Sequence, residues 1–394
     1  MSIYNSDKRI NKLIEVFHAI QQNKNAANII KANQLYINNA IPSDIIKLVH
    51  SLANTNLPID DLKTGINKFL NIMYKSIMNY PYIIPPKNSF LDICIRNNAI
   101  LENKLSELKK DIQKINKSFD TKTLQTILSG LKFLNKYDKY YQIKENVLFP
   151  LLESNWEDYK CLNVMWSYHD DIRANIKSAI SLVKKDFKIK EFNSLIGKIY
   201  FNMYAIKFRE ERILFPYIIE TIDQVETDSI IPEAFDIGFP YYQPDIKIQT
   251  TNMRNSNDDL IDLKSGKLSA EQIMLIFNHL PVDITYVDEN NKVRYFSTPK
   301  KRIFTRTNAI IGRQVENCHP PKSVHVVNKI VEAFKSGQKD KASFWINLNN
   351  ELVLIQYFAV RDSDNNYRGV IEVSQEINEI QSLKGEKRLL DWED

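Results

Sequence analysis

DITYVDENNKVRYFS, residues 283–297, decides how the C-terminal part of this chain is read. Two runs rich in β-branched and aromatic residues flank Glu289-Asn290-Asn291, and a polar break between such runs is a hairpin signal. Three more strand-like runs follow: ASFWINL (342–348), ELVLIQYFAV (351–360) and YRGVIEVSQ (367–375). Asn349-Asn350 and the stretch from Asp362 to Asn366 separate them. Between the first two strands and the last three lies SVHVVNKIVEAF (323–334), opened by Pro320-Pro321. Proline is pre-shaped for a first helical turn. INEIQSLKGEKRLLDW (377–392) reads as a closing helix. Two strands, a helical insert, three antiparallel strands and a final helix make one α+β domain with a five-stranded antiparallel sheet, expected over residues 269–392.

Upstream the period changes. Three of the nine glycines lie in the first 200 residues and five between Gly266 and Gly385. Glycine supplies positive φ in turns, so long helices are expected first and a turn-rich region last. Ile10, Leu13, Ile14, Phe17 and Ile20 share one helical face, and Pro42-Ser43 opens a run with Ile45, Ile46, Val49 and Leu52 at helical spacing. YPYIIPPKN (80–88) interrupts the helices. A helical domain is therefore expected over 1–80 and a second over 86–225. The second contains an internal repeat: Glu145–Pro150 and Glu211–Pro216 both read E-x-[VI]-L-F-P, as two helical hairpins of a four-helix bundle would. Residues 226–268 read as a linker, with a polar stretch at 248–264.

The bulk composition narrows the function classes. The chain has 394 residues, 43% hydrophobic and 26% charged, with 53 basic against 48 acidic side chains. Lys109-Lys110, Lys184-Lys185 and Lys300-Lys301-Arg302 read as solvated faces, so no nucleic-acid partner is expected. MSIYNSDKRINKLIEVF lacks an apolar core behind its basic residues, and no stretch of about 18 apolar residues occurs, so neither a signal peptide nor a membrane span is expected. Cys94, Cys161 and Cys318 are far apart and show no CxxC spacing, which points to the reducing cytoplasm. GxSxG, Gly-rich phosphate loops and HExxH are absent, so the expectation is a non-enzyme.

The long stretches LPVDITYVDENNKVRYFS, IIGRQVENCHPPKSVHVVNKI, ASFWINLNN, YFAVRDSDNNYRGVIEVSQEI and GEKRLLDW resemble the PAS-like domain that ends a family of multidomain bacterial proteins. KENVLFPLLE, VMWSYHDDIR and EERILFP resemble landmarks of the hemerythrin-like four-helix domain that precedes it in that family. AIPSDIIKLVHSL, with His50, is similar to the uncharacterised helical domain that comes first. The resemblance implies an all-α N-terminal region, a hemerythrin-like bundle and a PAS domain that senses a ligand.

A hemerythrin-like bundle holds two irons through imidazoles and carboxylates on facing helices. In this chain His169 is the only histidine between residues 51 and 278. The turns before the two LFP motifs carry Tyr140, Tyr141, Ile206 and Lys207 instead. The expectation is a bundle without a di-iron centre. Any residual metal site would use His169, Glu145 and Glu211, and the alternative function is an iron-binding hemerythrin-like protein that responds to oxygen, nitric oxide or iron.

A PAS fold cups a cavity that holds heme, flavin or a small organic ligand, or serves dimerisation; the fold alone does not choose. Cys318, His319, Trp345 and Tyr357 are the candidate pocket residues. His319 is a potential axial heme ligand, or it fixes the turn before the helix. Cys318 is a potential redox thiol, or an inert packed one. Trp345 shares a strand face with Ser343 and Asn347, opposite Phe344 and Ile346, and the pattern leaves open which face is inward. With no kinase- or cyclase-like segment after residue 392, output is expected to pass to a partner protein or a second copy of the chain.

Overall fold

The computed structural model describes residues 6–22, 25–245 and 260–387. They fall into a helical unit within residues 1–248 together with 320–322 and a second unit within residues 249–319 and 323–394.

Side-chain caps set several helix starts. In the helical unit, α1 (Ser6–Gln22), α2 (Pro42–Ala53) and α3 (Ile59–Asn79) come first. Proline at the start of α2 lacks an N–H that the first turn could not use. Arg9 of α1 and Asp44 of α2 form a buried ion pair at 2.5 Å, which fixes the two helices against each other. The long helices α4 (Phe90–Lys117) and α5 (Thr121–Asn135) follow, capped by Ser89 and Asp120, whose side chains accept from backbone N–H groups of the first turns. α6 (Asp138–Ile143), α7 (Cys161–Lys185) and α8 (Ile189–Arg209) come next, and the short helices Ala26–Ala32 and Gln34–Asn38 lie between α1 and α2.

Both copies of the E-x-[VI]-L-F-P repeat widen into a π-helical turn. These turns span Lys144–Leu148 and Glu210–Leu214, and each leads into a short helix, Phe149–Asn155 or Phe215–Thr221. The proline in each repeat has no N–H to return to the carbonyl four residues earlier, and an extra residue in the turn accommodates the gap. The repeat therefore has a structural counterpart.

Two expectations are corrected. The regions 1–80 and 86–225 do not have separate cores: Phe17 and Phe69 belong to the same buried cluster as Tyr140, Leu148 and Ile206. Residues 226–245 are not a bare linker. Helices Gln224–Asp228 and Ile231–Ile237 lie there, Ala234 is buried, and Tyr241 stacks on Phe133 at 4.4 Å. Asn97 holds this segment by accepting from the N–H groups of Tyr241 and Tyr242. Aromatic and aliphatic residues among the prolines outweighed the proline signal. Residues 246–259, which include most of the polar stretch, lie outside the described residues.

The second unit is the expected α+β domain. After α9 (Ala270–His279), with its Ser269–Gln272 capping box, come β1 (Asp283–Asp288) and β2 (Val293–Phe296). α10 (Pro321–Lys335) intervenes before β3 (Lys341–Leu348), β4 (Glu351–Arg361) and β5 (Tyr367–Glu376). All pairings are antiparallel, in the order β2-β1-β5-β4-β3. Asn349 and Asn350 both have positive φ, 54° and 72°, as a two-residue turn with the twist of its strands requires. The expected closing helix is confined to Asn378–Ser382 among the described residues, and Gly385 at φ 65° is outside helical geometry. Residues 388–392 lie outside the described residues.

Candidate functional site

Strand register resolves which sheet face is inward. Tyr357 lies opposite Ala342 on one side and Glu372 on the other, and Glu372 lies opposite Thr285. The same face carries Val287, Val293, Phe296, Val353 and Val370, all buried. Phe344 and Ile346 share it. Trp345 pairs with Leu354, which pairs with Gln375, so it points to the other face and is 69% exposed. Trp345 is therefore corrected from a pocket wall to an outer-face residue, because one step along a strand inverts the side chain.

The inner face is more polar than a core needs. Glu372 and Tyr357 stand side by side in mid-sheet. Burial pushes the Tyr357 phenol up; Glu372 adds to that, and Arg306 opposes it. The same carboxylate and guanidinium act on His319, whose pKa is lowered, first by burial, against the pull of Glu372. The His319 Nδ1–H donates to the Val315 carbonyl at 2.8 Å. Arg306 keeps a buried Nε with no hydrogen-bond partner among the described residues. Arg302 and Asp283 are the framework: Arg302 donates to the carbonyls of Phe304 and Ser297 and to Thr285, while Asp283 accepts from Ile303 N–H at 2.7 Å. Cys318 is packed with Val287, Phe296 and Ile310, the surroundings of an inert thiol.

Residues 273–378 match the PAS domain family. The chain contains a PAS domain. A C-terminal domain from Streptococcus mutans is 36% identical, covering 32% of this chain and 98% of that one, with a TM-score of 0.31. A PAS domain from Colwellia psychrerythraea is 12% identical, covering 28% of this chain and 97% of that one, with a TM-score of 0.23. No curated protein matches the chain. A PAS domain suggests a sensory or regulatory role.

The immediate electrostatic surroundings of His319 are charged, unlike the apolar slot that a heme ring takes. A bound His319 Nε2 would suit iron, since its Nδ1–H is already held by a carbonyl. A macrocycle, however, needs an apolar slot beside that nitrogen, and the electrostatic neighbours here are Glu372, Arg306 and Arg313. The sequence named His319, Cys318 and Tyr357 as pocket candidates and did not point to Arg306 or Glu372, which the structure places near them. The alternation that places Glu372 beside Tyr357 was legible; the pairing that joins the strands was not.

In the helical unit, His169 and Glu145 do meet: imidazole Nδ1 and Glu145 Oε1 are 2.8 Å apart, both buried. Arg173 takes the other carboxylate oxygen at 2.8 Å. Burial lifts Glu145 to about 7 against the pull of Arg173, and burial first, then Lys144 and Arg173, drive His169 well below its usual value. Tyr141 stacks on the imidazole at 4.3 Å. Glu211 does not join them; it binds Lys207 at 2.9 Å near the surface. The buried glutamate of that turn is its neighbour Glu210, which forms a fully buried ion pair with Lys144 and accepts from Tyr140 at 2.9 Å and from Asn98 at 3.2 Å. Lys144 and Glu210 occupy equivalent places in the two repeats, one residue before the glutamates that the motif aligns.

This donor set does not fit two irons. Lys144 lies 4.9 Å from the ring centres of both Tyr140 and Tyr141, so a fixed ammonium already supplies positive charge among the carboxylates. Among the described residues no group of three or more His, Cys, Asp or Glu side chains converges as a metal site. His50 is a bracket: its Nδ1 accepts from Lys160 N–H and its Nε2 lies 2.9 Å from the Asn54 amide.

Proposed function

We propose that this protein is a non-enzymatic sensory regulator whose PAS domain takes a small polar ligand between α10 and the inner sheet face. The observation that carries the reading is the buried, unpartnered Nε of Arg306 among Tyr357, His319 and Glu372. A buried polar atom without a partner is destabilising, so groups placed for structure alone are normally satisfied. The packing supports the same reading. α10 buries only Val331 and Phe334, and Ile355 and Tyr357 remain half-buried. A guanidinium and a carboxylate that both act on Tyr357 and His319 match a ligand with both an acidic and a basic end, of the amino-acid class.

We read the helical unit as a hemerythrin-like bundle in which an internal lysine stands in for metal charge. Output passes to a protein partner or to a second copy of the chain. No helix among the described residues is long and apolar enough to cross a membrane. The three cysteines form no disulfide, which fits a reducing compartment.

The test is thermal unfolding of the full chain against a panel of amino acids and small organic acids. A stabilising ligand is expected whose effect disappears in Arg306→Gln and weakens in Tyr357→Phe, and persists in Trp345→Ala. If no compound stabilises the chain, or if Arg306→Gln responds like the native protein, the pocket assignment is wrong.

A further inference from the structure

Among the described residues of the helical unit, the buried or partly buried cations at its centre are answered by carboxylates, with one exception. Lys144 pairs with Glu210, Arg9 with Asp44, Lys63 with Asp171, and Arg173 with Glu145. Arg209, at the end of α8, is 8% exposed and has only neutral partners. Its Nη2 donates to Asn67 Oδ1 at 2.5 Å and to the Tyr168 hydroxyl at 3.2 Å, and its guanidinium lies 4.3 Å from the Tyr168 ring centre. Nε and Nη1 are buried and have no partner among the described residues. Lys63 also approaches the Tyr168 ring, at 5.5 Å, but it is paired with Asp60 and Asp171. A full positive charge in this setting is strongly disfavoured unless something negative joins it.

A cavity of about 40 Å³ adjoins the guanidinium. Ile46, Leu70, Val164, Met165 and Leu214 line it, and apart from Arg209 and Tyr168 its walls are apolar. One water needs roughly 10–15 Å³ measured this way, so the space takes an anion of about three or four heavy atoms. A dianion would replace an excess positive charge with an excess negative one. An apolar wall opposite a cationic donor favours a ligand with one charged end and one small alkyl end. Arginine's planar donors suit carboxylate oxygens.

We propose that the helical unit contains a binding site for a small monocarboxylate of acetate size, a carboxylate oxygen accepting from a free donor of Arg209, Nε or Nη1, and its methyl group against Val164 and Leu214. The site is independent of the PAS pocket. Arg209 supplies the charge, Asn67 and Tyr168 hold the guanidinium in place, and the aliphatic lining limits the size of the ligand. Burial lowers the Arg209 pKa, and a bound anion would reverse that effect.

The experiment measures thermal unfolding of the full chain in sodium acetate, formate, butyrate, chloride or sulfate at constant ionic strength. Acetate is expected to stabilise saturably. At ten times its dissociation constant the unfolding equilibrium constant should fall about eleven-fold, if the anion binds only the folded chain. Arg209→Met should abolish the response. Should that variant fail to fold, Val164→Phe, which fills the cavity and keeps the charge, is measured in its place. Line broadening of ¹³C-acetate by the native chain, reversed by excess unlabelled acetate, reads binding without any variant. Saturable, Arg209-dependent stabilisation by acetate and formate but not by butyrate or sulfate supports the site. Equal responses to chloride and acetate, an unchanged response in Arg209→Met or Val164→Phe, or no broadening of acetate by the native chain would each overturn it.

Discussion

Replacing Lys144 by methionine removes an ammonium of similar length from the centre of the helical unit and strands Glu210, which has no exposure to water. Breaking a buried ion pair from one side is destabilising by about 3–5 kcal/mol. Two effects adjust this figure. Glu210 keeps the hydroxyl of Tyr140 and the amide of Asn98 as donors, which lessens the loss. The contacts of Lys144 with Tyr140 and Tyr141 disappear, adding about 0.5–2 kcal/mol. A net loss of about 4 kcal/mol is expected. Lys144→Met with Glu210→Met should recover much of it, because a buried pair replaced by apolar groups of like volume is often near neutral; the residual loss, about 1–3 kcal/mol, comes from Tyr140 and Asn98 left without an acceptor. The assay is urea unfolding followed by far-ultraviolet circular dichroism, reading the midpoint at constant slope. The reasoning is refuted if Lys144→Met loses less than about 1 kcal/mol, or if the double variant loses the sum of the two single ones, since contacting charges must couple.

Three further outcomes are expected. Glu145 and His169 should give opposite pH dependences. The folded pKa of Glu145, about 7, lies above its ordinary 4.5, so its contribution is complete below 4.5 and lost as pH rises through 7. The folded pKa of His169 lies well below 6.5, so its contribution is present above 6.5 and lost as pH falls; Glu145→Gln should remove the alkaline loss and His169→Gln the acid one, in unfolding midpoints measured across that range. Gly369→Ala should destabilise the PAS domain by at least about 2 kcal/mol, because φ is 136° and a Cβ would meet the backbone of Val287 and Asp288; native-like stability by calorimetry would contradict this. Protein purified from iron-supplemented culture should carry far less than one iron per chain by elemental analysis, and two per chain would overturn the account of the bundle.

The PAS sheet was legible in outline because hairpin turns are local. Asn290-Asn291, Asn349-Asn350 and Asp362–Asn366 fall where strands reverse, and Asp362 accepts from the N–H groups of Asp364 and Asn366 as its position implies. The motif repeat was equally local, and both copies became π-helical turns. Periodicity also located α1 and α2.

What the chain alone did not disclose were relations between elements. Alternation separated Trp345 from Phe344 but said nothing about which one shares the face of the buried Val353 and Val370; strand pairing made that choice. The motif brought Glu145 and Glu211 into view, yet helix rotation buries Glu210 and Lys144 and leaves Glu211 near the surface. Arg209 had no sequence signature at all. Its significance comes from the absence of a carboxylate across four helices, and that depends on how distant segments pack, which one-dimensional periodicity does not encode.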